Sequence, residues 1–236
     1  MRREDRDGIL AYGSYGKPLL VFPAERGNRF EWEDRGMIHV LAPLIDEGRL
    51  KVYCVDAWDG NTWSNDSIPI EDRARSHDAY EGWIHEHVVP WIHHDCSGPA
   101  AIGVAGVSMG AYHAANLALR RADRFPLALC LSGMYDPTRV AWGEPGDAVY
   151  FHNPMAYVEH MHGDHLDWLR SLVHLVLVVG RGSWEDSTGA LESTESFASL
   201  LAGKGIPHEL DVWGHDSPHD WPAWRRQIAH HLPRYV

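Results

Sequence analysis

Six short apolar runs recur along the chain, and most of the segments between them are patterned as helices. The runs are LLVFP (19–23), LKVYCVD (50–56), AAIGVAG (100–106), LALCLSG (127–133), HLVLVVG (174–180) and HELDVWG (208–214). Most are nearly continuous in apolar residues instead of alternating with polar ones. Such a strand must be covered on both faces, as parallel strands are when helices flank their sheet. Helical spacing appears over residues 36–47, 71–94, 109–122, 190–205 and 221–231, with Tyr80, Trp83, Ile84 and Val88 sharing one face of the second. This order predicts an α/β fold, a mostly parallel, doubly wound sheet with helices on both faces. Residues 134–172 break the rhythm: they hold Pro137, Gly143, Pro145, Gly146, Pro154 and Gly163 and no strand pattern. They read as a loop and short-helix excursion over the top of the sheet, the kind of segment that lines sites. With no internal repeat and no linker, residues 1–236 read as one domain.

Charge narrows the partners. The formal net charge is −12, which disfavours a nucleic acid or an anionic membrane surface as partner. The chain shows no signal-peptide pattern and no apolar run of about 18 residues. Cys54, Cys96 and Cys130 are odd in number and irregular in spacing, so they read as free thiols of a reducing cytoplasm. A cytoplasmic protein acting on a small molecule is the expectation, with self-association into a homo-oligomer left open.

The chemistry centres on Gly106–Gly110, GVSMG, a G-x-S-x-G match at the boundary between a strand and a helix. That context suits a nucleophile elbow, a sharp turn that lifts a serine hydroxyl above the sheet and needs small neighbours. Ser108 is the candidate nucleophile. The N–H of Met109, at the start of the helix, would face a developing oxyanion. A serine nucleophile needs a base, and the base needs an orienting acid. In this architecture the acid follows the next-to-last strand and the histidine the last. RGSWEDS offers Glu185 and Asp186; HDSPHDW offers His215 and His219. His219, at the mouth of the final helix, is favoured over His215, and Glu185 over Asp186.

GVSMGAYHAANLAL, the GIPHELDVWG strand and the HDWPAWRRQ ending together resemble the esterase branch of the α/β-hydrolases, which holds esterase D (S-formylglutathione hydrolase) and the mycolyltransferases. The resemblance runs from about Pro18 to Val236. It implies the α/β-hydrolase fold, with Ser108 as nucleophile, His219 as base and an acid near Glu185. It further implies that one oxyanion N–H comes from the loop after the first buried strand, at Ala24 or Glu25, with Ala24 preferred. Many members carry an Asp close after the acid-bearing strand, whereas Gly182-Ser183-Trp184 precedes Glu185 here. The implied activity is a serine esterase that cleaves small carboxylic esters through an acyl-enzyme without cofactor or metal. An acyltransferase on the same triad and a non-catalytic binding protein of the same fold are the rivals.

Other signals have plainer readings. HMHGDH (160–165) matches the zinc-binding run H-x-H-x-D-H, but it lies two-thirds along the chain and leaves too little length for the fold that uses it. It reads as a His-rich surface loop. HEHVVPWIHHD (85–95) reads as a solvated helix face, and His113 as a packed core histidine. Trp58, Trp63, Tyr135, Trp142, Tyr150 and Phe151 are candidate pocket aromatics.

Overall fold

The computed structural model describes residues 3–236. Its strands are β1 (Arg3–Arg6), β2 (Ile9–Tyr12), β3 (Lys17–Phe22), β4 (Leu50–Val55), β5 (Gly103–Val107), β6 (Leu127–Leu131), β7 (His174–Val179) and β8 (His208–Val212). They form one sheet in the order β1-β2-β4-β3-β5-β6-β7-β8. β3 to β8 are parallel, and β1 and β2 are antiparallel additions at one edge. The six apolar runs supply β3 to β8.

The continuous apolar character of these strands follows from their two covered faces. Leu20 and Phe22 of β3, Tyr53 and Val55 of β4, and Leu175 and Leu177 of β7 point to one core. Their neighbours Leu19, Val21, Val52, Cys54, Val176 and Val178 point to the other. Helices Ile70–Trp83, Met109–Arg120 and Ala190–Gly203 bury residues in or beside the first core, and Met37–Asp46 and Trp221–His231 cover the second. Each fully buried Leu, Val or Phe contributes roughly 1.5–3 kcal/mol relative to exposure, so both layers are needed to offset chain entropy.

The β1–β2 hairpin extends the pattern read from sequence. Its strands are four residues long and β1 is wholly charged, so an apolar-run criterion passes over it. The signal lies in Asp7-Gly8 between them. Both have positive φ, 53° and 80°, as in the two-residue turn whose twist matches an antiparallel pair. The long helix expected over 71–94 is instead Ile70–Trp83, one π-helical turn at Ile84–Val88, and Val89–Asp95. Pro90, which has no N–H for the carbonyl four residues back, sits at the exit of that wide turn. The 134–172 excursion is mostly helical, with Pro137–Val140, Asp147–Phe151, Pro154–His160 and Gly163–Leu172 as its elements. Among the described residues no helix is long and apolar enough to cross a membrane.

Candidate active site

Ser108 stands between the end of β5 and the helix Met109–Arg120 with φ 53° and ψ −120°. Side chains other than glycine rarely adopt this conformation, and holding it costs on the order of 1–3 kcal/mol. Its N–H donates to Leu131 O at 2.8 Å, which ties the turn to β6. The flanking glycines are required by close approach. A Cβ on Gly106 would collide with the Gly110 carbonyl, and one on Gly110 would collide with the Phe22 and Pro23 carbonyls. The second contact lets the helix pack against the end of β3, where the 24–27 turn begins.

His219 reaches Ser108 from the loop after β8. Its backbone N–H donates to Ser183 O at 3.0 Å, and the next residue, Asp220, caps the helix Trp221–His231 by accepting from Ala223 N–H. The imidazole packs edge-on against Trp224, with ring centroids 5.0 Å apart. His219 Nε2 lies 3.1 Å from Ser108 Oγ, and Nδ1 lies 3.0 Å from Glu185 Oε2. A carboxylate only accepts, so Nδ1 carries the proton and Nε2 is left free to accept from the serine hydroxyl.

Glu185 is fully buried. Its other oxygen, Oε1, accepts from Ser132 Oγ–H at 2.6 Å and from Gly180 N–H at 3.2 Å. Ser132 in turn accepts from Trp224 Nε1–H at 3.0 Å. The carboxylate therefore takes three donors, and its orientation toward His219 is fixed from both sides. Asp186, the other acid weighed from sequence, is exposed. His215, the other histidine, is exposed too, with Nδ1 2.8 Å from Arg181 O. The choice between the acids turns on Trp184, whose positive φ (70°) starts the one-turn helix Glu185–Thr188 and buries its first residue. Ser132 and Trp224 carry no sequence motif. Ser132 follows β6 with the same φ, 53°, that Ser108 shows after β5.

The Met109 amide opens its helix without a backbone acceptor among the described residues. The Ala24 N–H, preferred from sequence as the second donor, is already taken: it donates to Glu31 Oε2 at 3.0 Å. The reason is local. The 24–27 turn closes through Gly27 N–H to Ala24 O at 2.9 Å, which brings the chain back so that Glu31 lies over it. Burial pushes the Glu31 carboxyl above its usual range, against the pull of the Ala24 N–H. The neighbouring Glu25 N–H, weighed as the alternative, has no acceptor among the described residues. The same turn is anchored by Asp59, fully buried, which accepts from Arg26 N–H at 3.1 Å and lies 3.0 Å from His113 Nε2. His113 is thus buried and also linked, through Asp59, to the 24–27 turn.

A cavity of about 260 Å³ is bordered by Met109, the residue after Ser108, together with Glu25, Trp63, Arg73, Tyr112 and Met134 among others. Of the six aromatics singled out from sequence, Trp63 lines it. Tyr135 is buried against Phe197 at 4.2 Å, Trp58 stacks on Trp83, and Trp142 is exposed. The HMHGDH run is divided between the end of one helix and the start of the next. His160 Nδ1 lies 2.8 Å from Ala156 O, and His165 stacks on Trp168. Two other groups have metal-ligating composition, His77-Glu81-His152 and Asp211-His230-His231. In the first an arginine takes the lone pair that a metal would need; in the second the arginine meets the imidazole nitrogen turned away from Asp211, whose Oδ2 lies 2.9 Å from His231 Nε2. Arg120 Nη1 donates to His152 Nδ1 and pairs with Glu81, and Arg234 donates to His231 Nδ1. Cys54 and Cys130 are buried free thiols, and burial raises both pKa values, so neither is a ready nucleophile.

The family described as “Putative esterase” has a sequence profile that matches residues 24–235. No curated protein matches the chain. Among solved structures, a ferulic acid esterase is similar at 19% identity and TM-score 0.72, over 96% of this chain and 90% of that one. The MPT51 protein of Mycobacterium tuberculosis is similar at 13% identity and TM-score 0.73, over 99% and 97%. An S-formylglutathione hydrolase from Agrobacterium tumefaciens is similar at 15% identity and TM-score 0.65, over 99% and 92%. At these identities the likeness is one of fold, and the fold is that of the α/β-hydrolases.

Proposed function

We propose, from the premise that the chain belongs to this esterase family, that it is a serine hydrolase cleaving carboxylic esters through an acyl-enzyme. The observation that carries the reading is the continuous relay from Ser108 Oγ through His219 to a buried, triply held Glu185, with successive separations of 3.1 and 3.0 Å.

In this reading His219 Nε2 takes the Ser108 proton as Oγ attacks the ester carbonyl. The imidazolium that forms is stabilised by Glu185, which keeps the Nδ1 proton in place without taking it. The oxyanion is held by the N–H groups of Met109 and Glu25. His219 then protonates the departing alkoxide, and the acyl group stays on Ser108. Water, deprotonated by the same Nε2, releases the acid. Every group required belongs to the chain, and no step calls for a cofactor or metal. The 260 Å³ cavity beside Met109 and Glu25 has the size of a small acyl group.

The test combines labelling with kinetics. A fluorophosphonate probe should label the wild type, and Ser108→Ala should abolish both the label and hydrolysis of simple chromogenic esters, by on the order of 10⁴-fold or more. A Ser108→Ala protein that keeps wild-type rates on several esters would sink the proposal.

A further inference from the structure

A buried cation lines the cavity bordered by Met109, and the steps above do not use it. Arg73 lies in the first turn of helix Ile70–Trp83 and is 3% exposed. Its Nε donates to Ile68 O at 2.9 Å and its Nη1 to Trp63 O at 3.0 Å. A guanidinium carries five N–H donors, so two carbonyls leave it incompletely satisfied and electrically uncompensated. Among the described residues no carboxylate makes an ion pair with it. A buried charge without a counter-charge is costly unless something supplies one. Nη2 takes no acceptor among the described residues. The Arg73 side chain belongs to the lining of the cavity.

Most other charges of the cavity are committed elsewhere. Glu25 accepts from Ser64 Oγ at 2.5 Å, and Asp136 accepts from Thr138 N, Thr138 Oγ1 and Asn153 Nδ2 at 2.6–3.0 Å. Asp66 is exposed. Arg139 pairs with Glu192, and Arg26 donates to Ser64 O. The three carboxylates and three arginines of the lining offset one another, and a single carboxylate fits the free side of the Arg73 fork. The side of the ester is set as well. The leaving alcohol takes its proton from His219 and so departs on the imidazole side. None of the cavity's lining residues comes from the loop that carries His219. The cavity is left for the acyl part.

We propose that the acyl group this enzyme accepts ends in a carboxylate, paired by Arg73 in the cavity; the substrates are then half-esters of short dicarboxylic acids. This rests on the ester-cleaving reading above and deepens it. Cleavage adds water across the ester bond and yields the diacid and the alcohol.

The experiment compares methyl half-esters of dicarboxylic acids of increasing length with methyl esters of neutral acyl chains of matched length, followed by titration of the released acid. In the wild type, kcat/KM should favour the half-ester by on the order of 10- to 100-fold at the best length, the range of a charge-assisted pair. Arg73→Gln should bring that ratio close to one, and Arg73→Lys should retain part of it. A wild-type ratio near one, or an undiminished ratio in Arg73→Gln, overturns the proposal while Ser108-dependent hydrolysis of neutral esters leaves the esterase reading standing. If neither ester type is cleaved and the fluorophosphonate fails to label Ser108, the esterase reading falls and this proposal falls with it. Should the Arg73 variants not fold, inhibition of the wild type decides. The free diacid should inhibit at least tenfold more strongly than the monoacid of equal length, and equal inhibition refutes the pairing.

Discussion

Replacing Glu185 with glutamine keeps the side chain's size and removes its charge and its symmetry. The two carboxylate oxygens face different donors. Oε1 meets Ser132 Oγ–H and Gly180 N–H, and Oε2 meets His219 Nδ1–H. A glutamine has one acceptor end and one donor end, so it satisfies one of these surroundings at the expense of the other. The oxygen should go to the Ser132–Gly180 side, because the Gly180 N–H is fixed in the backbone and cannot turn away from an opposing NH₂. Leaving that buried donor unpaired costs about 1–3 kcal/mol. The NH₂ end then faces His219 Nδ1 and forces the tautomer with the proton on Nε2, which cannot accept from Ser108. The productive arrangement falls to roughly one part in ten to one in a hundred, at about 1.4 kcal/mol per decade. Even that fraction lacks the anion that stabilises imidazolium, a further loss of roughly 1.5–3 kcal/mol, or one to two decades. We expect Glu185→Gln to lower kcat by about 10²- to 10⁴-fold, with KM little changed and the melting temperature close to wild type. Asp186→Asn, at an exposed carboxylate, should stay within about tenfold. Steady-state kinetics on a chromogenic ester with both variants reads this directly. A Glu185→Gln enzyme within tenfold of wild type, or a larger loss from Asp186→Asn, would refute the argument.

Two further outcomes follow from the same geometry. His219→Ala should cost nearly as much kcat as Ser108→Ala, because the three groups act as a unit, whereas His215→Ala should cost less than tenfold; equal losses in the two histidine variants would contradict the relay. His77 is buried among Trp63, Tyr112, His113 and His152, and burial lowers its pKa to about 4 despite the nearby Glu81. Its unfolded value is near 6.5, so the unfolded chain binds the proton more readily and acid favours unfolding. The stabilisation is complete above that value and is lost as pH falls toward 4, by roughly 2 kcal/mol between pH 7 and 5. Urea unfolding at the two pH values should therefore show a shallower acid dependence in His77→Phe, and an identical dependence would remove His77 from the account.

What could be read in advance depended on whether the determinant was carried along the chain or across it. The parallel sheet was legible because burial on two faces writes itself into each strand's own residues. The convergence of Ser108, residues 185–186 and residues 215–219 was legible because parallel strands deliver their ends to one side. The choice between Ala24 and Glu25 is not legible, since a turn bond and the Glu31 carboxylate decide which amide is free, and neither leaves a pattern. Ser132, Asp59 and Arg73 meet partners far away in sequence or backbone carbonyls, so no spacing rule points to them. The β1–β2 hairpin did carry a local sign, Asp7-Gly8, in a stretch whose charge drew attention from it.

The backbone conformation at Ser108 has a consequence for how such a protein changes over generations. Glycine at this position would adopt φ 53° and ψ −120° without the strain that serine bears, so a Ser108→Gly variant is expected to be the more heat-resistant molecule. A library of variants sorted for thermal survival alone would drift toward loss of the hydroxyl. In the proposed reading, only selection for turnover holds the serine against that drift.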